Sequence, residues 1–278
     1  MENTDNKDFI DVHGIFRLKS PTLYKFVPNF LINALRRLLH EEEINRFIKT
    51  NKHLPPYEFV TQILKEFNVK HEFNGIEHIP LTGGCVVVAN HPLGGLDALA
   101  LIHALTNARM DMKFIVNDVL LQLKNLKGIF TGVNKFGRTK TELLNSIDDL
   151  YNSGQAILIF PAGLVSRKSK NGIVKDLEWK KSFVSKAKKY NLPIIPVYID
   201  GRNTNRFYNL SNFRKRIGLQ VNIEMLLLPD EMYKQKNKTI SINFGKPLTI
   251  EQMDNNLSDV QIAQKIKSVV YDMGPSNV

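Results

Sequence analysis

The residues best suited to chemistry lie together in Asn90-His91-Pro92-Leu93-Gly94-Gly95-Leu96-Asp97. A histidine titrates near neutral pH. A carboxylate that accepts from one ring nitrogen fixes the tautomer and leaves the other nitrogen free to take a proton. His91 and Asp97 therefore make a candidate acid–base pair. The same residues suit a plainer role, with Asp97 capping a helix and His91 a satisfied structural histidine. The stretch alone leaves both readings open.

The flanking elements would position the pair. Val86-Val87-Val88-Ala89 is a continuous apolar run and reads as a buried strand. Asp97 opens a run with Leu96, Ala98, Leu99, Leu101 and Ile102 at helical spacing. The histidine thus leaves a strand and the carboxylate enters the next helix. Strand and helix signals then alternate: Lys113–Val116, Asn117–Lys124 as a helix, Ile129–Val133, Thr141–Tyr151 as a helix, and Ala156–Phe160. Trp179–Tyr190 follows as a helix, Pro193–Ile199 as a strand, Val221–Leu228 and Thr239–Phe244 as two late strands, and Ser258–Met273 as a closing helix. This alternation predicts an α/β fold, a mixed and largely parallel sheet flanked by helices. Ahead of it, residues 1–20 read as a loose leader. Thr22 to about Phe47 reads as amphipathic helix broken near Pro28, and Tyr57–Phe67 as another helix before a turn at Asn74-Gly75. We divide the chain into a helical N-terminal extension, residues 1–70, and an α/β domain, residues 71–278.

The 278 residues are 43% hydrophobic and 23% charged, enough for a sizeable core. The single cysteine, Cys85, excludes an internal disulfide and a cysteine-rich zinc site, and it sits inside an apolar strand. The histidines are scattered, so no metal or cofactor is expected. The N-terminus is polar and acidic, unlike a secretory signal, and no window reaches the ~20 apolar residues that span a bilayer. A net charge of +11 calls for an acidic partner. Nucleic acid, an anionic lipid surface and an acidic carrier protein all qualify. Helix-turn-helix, zinc and aromatic RNA-binding signatures are absent, which argues against nucleic acid.

Ligands of parallel α/β sheets bind beyond the carboxyl ends of the strands. Four unusual stretches fall there: the His91 stretch, Gly132-Val133-Asn134-Lys135-Phe136-Gly137-Arg138, Phe160-Pro161-Ala162-Gly163-Leu164-Val165-Ser166-Arg167, and Ile195 to Asn203. Singly they are routine turns. In order and spacing the set resembles the glycerolipid acyltransferase family, over about residues 75–205. That family carries an Asn-His-x-x-x-x-Asp block, a Gly/Phe block ending in Arg, a Phe-Pro-Glu-Gly-Thr-Arg block and an apolar-Pro-Val block. Two departures stand out. Five residues separate His91 from Asp97, one more than the pattern, and the third block has Ala162 and Val165 where the family has Glu and Arg. These variations look like the hemolysin-like bacterial branch, which includes ornithine- and glycine-type aminolipid O-acyltransferases.

The resemblance implies transfer of a fatty acyl chain from a thioester, on acyl carrier protein or coenzyme A, to the hydroxyl of a lysolipid. His91 would be the general base and Asp97 its orienting partner. Asn90, Gly94, Gly95, Lys135, Arg138, Pro161, Gly163, Ser166 and Arg167 would meet substrate, with backbone N–H groups near Gly94-Gly95 or Gly163 binding the oxyanion. The acceptor is either lysophosphatidic acid or a monoacyl aminolipid, because the missing block-three arginine weakens the case for a phosphate. The expected location is peripheral, at the cytoplasmic face of a membrane. The N-terminal helix would either lie in that interface or pack on its own domain. The cationic strip over residues 167–189 and Arg214-Lys215-Arg216 are either a solvated face or a surface that steers an acidic acyl carrier protein, binds the phosphates of coenzyme A or holds anionic headgroups. The rival reading is a basic membrane-surface or nucleic-acid-binding protein without catalysis.

Overall fold

The strand Cys85–Ala89 is apolar at every position because both of its faces are covered. In the computed structural model, which describes residues 8–19, 21–117, 120–132, 140–253 and 256–275, this strand is β2, near the middle of a seven-stranded sheet. In chain order the strands are β1 (Lys70–Asn74), β2, β3 (Met112–Val116), β4 (Phe130–Gly132), β5 (Ala156–Ile159), the short β6 (Arg167–Lys168) and β7 (Val174–Lys175), β8 (Ile194–Ile199) and β9 (Thr239–Phe244). The helices are α1 (Val12–Lys19), α2 (Pro21–Phe26), α3 (Asn29–Leu38), α4 (Glu41–Thr50), α5 (Pro56–Glu66), α6 (Gly95–Leu105), α7 (Lys140–Tyr151), α8 (Ser182–Tyr190), α9 (Asn205–Arg216), α10 (Leu228–Tyr233) and α11 (Asp259–Asp272).

The sheet order is β1-β9-β8-β2-β5-β3-β4. From β8 to β4 the strands are parallel; β9 runs antiparallel to β8, and β1 is parallel to β9. Side chains alternate across a strand, so β2 divides its apolar content between two cores. Cys85, Val87 and Ala89 join Phe59, Val60 and Leu64 of α5 and the apolar side of α6. Val86 and Val88 join Ile157, Phe183 and Val184 of α8 and Ile262, Ile266 and Val270 of α11. The expected mixed, largely parallel α/β fold is what forms. Burial pushes the Cys85 thiol up to about 11, so it is a core side chain rather than a nucleophile.

Several elements differ from the sequence reading. The leader is helical from Val12 to Lys19: Val12 is buried, its N–H donates to Glu41, and Asn45 bonds both backbone groups of Ile10. The helical pattern after it breaks twice, at Pro28 and at His40, whose φ of 49° ends the run. In place of a helix over Asn117–Lys124, the described part holds two 3₁₀ turns, Leu120–Gln122 and Lys124–Leu126. Val221–Leu228 is not a strand but the 3₁₀ turn Ile223–Leu227 running into α10. Its buried positions are Glu224, Leu227 and Glu231, a helical spacing, because Glu224 turns inward to two arginines.

Candidate active site

The carboxyl end of β2 is tied to β8 by a side chain. Backbone pairing between these strands runs as far as Ala89 opposite Val197. Beyond it, Asn90 Nδ2 donates to Ile199 O at 2.8 Å and Asn90 Oδ1 accepts from Ile199 N–H at 2.7 Å. The amide thus extends the ladder by imitating a peptide unit. It fastens the point where the chain leaves the sheet toward His91.

The His91 turn closes on Asp97. His91 Nδ1 lies 2.9 Å from Asp97 Oδ2, which also accepts the N–H groups of Leu93 at 2.8 Å and Gly94 at 3.0 Å. Asp97 sits in the first turn of α6, where a carboxylate complements unsatisfied N–H groups and the helix dipole. The extra residue between His91 and Asp97 therefore does not separate them. It is taken up at Gly94, whose φ of 94° and ψ of −131° suit glycine alone. A Cβ there would also approach Leu228 at 3.4 Å. Asp97 is fully buried, and its Oδ1 has no hydrogen-bond partner among the described residues. Burial pushes its carboxyl above the ordinary value, against the His91 hydrogen bond and the Leu93 and Gly94 N–H groups, which pull it down. The His91 ring is 16% exposed and stacks on Phe160 at 4.0 Å between centroids. With Nδ1–H given to Asp97, Nε2 is the atom left to accept a proton.

The turn after β5 fixes the backbone of the first. Ser166 N–H donates to His91 O at 2.8 Å, and Asp176 Oδ1 accepts both His91 N–H at 3.2 Å and Ser166 Oγ–H at 2.5 Å. Trp179 Nε1 donates to the other Asp176 oxygen at 2.9 Å, and Tyr271 Oη of α11 accepts Asp176 N–H at 2.7 Å. Pro161 O receives Lys180 N–H, while Gly163, at φ 69°, donates its N–H to Phe160 O. Gly94 and Gly163, both expected as oxyanion donors, thus spend their N–H groups inside their own turns. Gly95 is exposed at the start of α6, where a helical N–H has no intrahelical acceptor.

Arg167, expected to meet substrate, is buried: Nη1 donates to Val165 O at 2.5 Å and Nη2 to Glu224 Oε1 at 2.9 Å. Glu224 also receives Arg214 Nε at 2.9 Å. Lys135 and Arg138, with the rest of the second block from Val133, lie outside the described residues. Within the cationic strip, Lys186 and Lys189 bond Asp148, and Lys188 bonds Asp259. Among the described residues no group of three or more His, Cys, Asp or Glu gathers to hold a metal ion.

Sequence reasoning missed Asp176 and Glu224, two buried carboxylates that organise the site's frame. The signal for Asp176 was present: it stands ten residues after Ser166 and three before the only tryptophan. Asn203, whose Nδ2 donates to Pro92 O at 3.1 Å, was likewise visible at the end of the fourth stretch.

Comparison with known proteins places the chain in a family. A family model described as Acyltransferase matches residues 15–272. The lyso-glycine lipid O-acyltransferase of Bacteroides thetaiotaomicron is 37% identical over 272 residues, 97% of this chain and 100% of that one. The protein of the same name from Phocaeicola vulgatus is 36% identical over 272 residues, 97% of each chain. Among solved structures, the 1-acyl-sn-glycerophosphate (LPA) acyltransferase PlsC from Thermotoga maritima superposes with a TM-score of 0.51 at 15% identity, over 94% of this chain and 93% of that one, a likeness of fold. Matched along nearly all its length by the family and by two full-length relatives, this chain belongs to the acyltransferase family.

Proposed function

We propose that the protein O-acylates a lyso-glycine lipid, joining a fatty acyl group from a thioester to the free hydroxyl of the monoacyl aminolipid. The observation that carries the reading is the full-length relationship to two lyso-glycine lipid O-acyltransferases. The His91–Asp97 pair, at 2.9 Å, supplies a chemical means.

In this mechanism His91 Nε2 takes the proton of the acceptor hydroxyl as its oxygen attacks the thioester carbonyl. The tetrahedral oxyanion is met by the Gly95 N–H at the positive end of α6. Collapse breaks the carbon–sulfur bond, and the departing thiolate takes the proton back from the imidazolium. Ester and thiol leave, and His91 is restored. Asp97 holds the ring and stabilises its charged form. Asn90, Ser166 and Arg167 act by positioning, since each has its partners within the fold. A buried, apolar Val165 at the block-three position favours an acceptor without a phosphate. The donor is an acyl thioester of coenzyme A or acyl carrier protein. The enzyme works peripherally at the cytoplasmic membrane face; no helix among the described residues is long and apolar enough to cross a bilayer.

The test is acyl transfer from labelled acyl-coenzyme A and acyl carrier protein to lyso-glycine lipid, lyso-ornithine lipid and lysophosphatidic acid. Diacyl glycine lipid as the main product is the expected outcome. Preferred acylation of lysophosphatidic acid would overturn the acceptor, and no transfer by the folded protein to any acceptor would overturn the reaction.

A further inference from the structure

Among the described residues, sixteen large apolar side chains are exposed, and five of them fall within fourteen residues: Phe213, Ile217, Leu219, Val221 and Leu226. Phe213 is 59% exposed and Val221 67%. Phe213 and Ile217, four apart at the end of α9, share one face of the helix, and the remainder follow in the loop and 3₁₀ turn that pack against α9. Such clustering marks an interaction surface.

The segment is braced by buried ion pairs and strongly cationic. Arg214, between the exposed Phe213 and Lys215, points inward to Glu224 and donates to Leu219 O at 2.7 Å, which fastens the loop to the helix. Arg167 joins the same carboxylate, so the loop is braced to the third block itself. Between Asp200 and Glu224 there is no acidic residue, while Arg202, Arg206, Arg214, Lys215 and Arg216 supply five cations. Lys215 and Arg216 are exposed beside the apolar cluster.

The segment also stands next to the chemistry. Leu227 packs with Val165, Phe207 and Tyr208, and Leu38 at the end of α3 joins that cluster. Leu228 forms the wall against which Gly94 turns. Phe30 and Leu31, in the first turn of the same α3, are exposed as well.

We infer that residues 213–226 form a braced membrane-docking knob, whose apolar side chains enter an anionic bilayer while Lys215 and Arg216 meet its headgroups. The inference rests on the lipid-acceptor reading for its purpose, though not for its physics. Apolar side chains flanked by cations are what an interfacial element needs. A second copy of the chain fits badly, because a two-fold contact would set these cations against themselves.

Full-length parent and the F213S/I217S/V221S variant would be sedimented with vesicles of equal parts phosphatidylglycerol and phosphatidylcholine. Activity would be read on lyso-glycine lipid in detergent micelles and in the same vesicles. The expected result is at least about ten-fold weaker vesicle binding and lower vesicle activity, with micellar activity and melting temperature unchanged. Undiminished vesicle binding would overturn the proposal. So would a parent dimer that the variant loses on a sizing column. If the triple variant fails to fold, the K215E/R216E variant decides: weaker binding to the anionic vesicles supports the knob, and unchanged binding rejects it. A parent that binds vesicles through the knob but acylates nothing in micelles would reject the proposed reaction and leave the docking surface standing.

Discussion

Asp97 and Glu224 are both fully buried carboxylates within the frame of one site, and they are compensated in opposite ways. Glu224 is met by two guanidinium groups, Arg167 at 2.9 Å and Arg214 at 2.9 Å, with Ser211 Oγ at 3.4 Å. Asp97 is met by two backbone N–H groups and one imidazole, all on Oδ2, and Oδ1 has no partner among the described residues. One carboxylate is neutralised and serves as a strut. The other is left short of positive charge, which is what an imidazolium at His91 would supply in the proposed mechanism. Departures from full polar satisfaction concentrate where function needs them.

Four substitutions probe that contrast. The largest effect is expected from His91→Ala, which removes the proton acceptor: transfer should fall by roughly 10²- to 10⁴-fold while the fold persists. A variant retaining more than a tenth of parental turnover would end the general-base assignment. Next comes Glu224→Gln. Two buried guanidinium groups then lose their counter-charge, and urea unfolding should show a loss of about 3–5 kcal/mol; a change under about 1 kcal/mol would mean the triad is no strut.

Asp97→Asn separates activity from stability. The raised Asp97 carboxyl holds a proton more tightly in the folded chain than in the unfolded one. Its contribution is therefore most favourable at low pH and is lost as pH rises through the folded value. At neutral pH the asparagine variant should melt at or above the parent temperature, yet transfer should drop by roughly 10²-fold or more, because the ring loses its anion. A variant that is both less stable and fully active would invert the contrast. The smallest effect belongs to Asp148, a half-exposed carboxylate lowered to about 2, chiefly by the hydrogen bond from Lys186. Its contribution is present above pH ~4 and lost as pH falls toward 2. Asp148→Asn should cost less than about 1 kcal/mol at neutral pH, and the variant and parent stability curves should converge in acid.

Much of this contrast could be read in the chain, but unevenly. β2, β5 and β8 were legible because strands buried on both faces are unbroken apolar runs. β1, Lys-His-Glu-Phe-Asn, was hidden because an edge strand exposes alternate residues and carries charge. α9 was hidden for a related reason: its inward positions include Ser211 and Arg214 besides Phe207 and Tyr208, so its pattern looks polar. The pairing of His91 with Asp97 was legible as local spacing, with Gly94 to absorb the added residue. The engagement of Arg167 was not. Its partner Glu224 lies 57 residues away, in a segment whose valine and isoleucine suggested a strand.

The contact between α11 and the loop before α8 bears on when the enzyme becomes competent. Tyr271 Oη accepts Asp176 N–H, and Lys267 Nζ donates to the carbonyls of Asp176 and Leu177 at 2.7 and 3.0 Å. Asp176 in turn sets the backbone of His91. A folding chain that has paired β2 with β5 and β8 still lacks this fastening of its histidine until α11 has docked. On the proposed mechanism, docking of α11 is then a condition of activity, and a chain whose α11 is undocked is expected to transfer no acyl group.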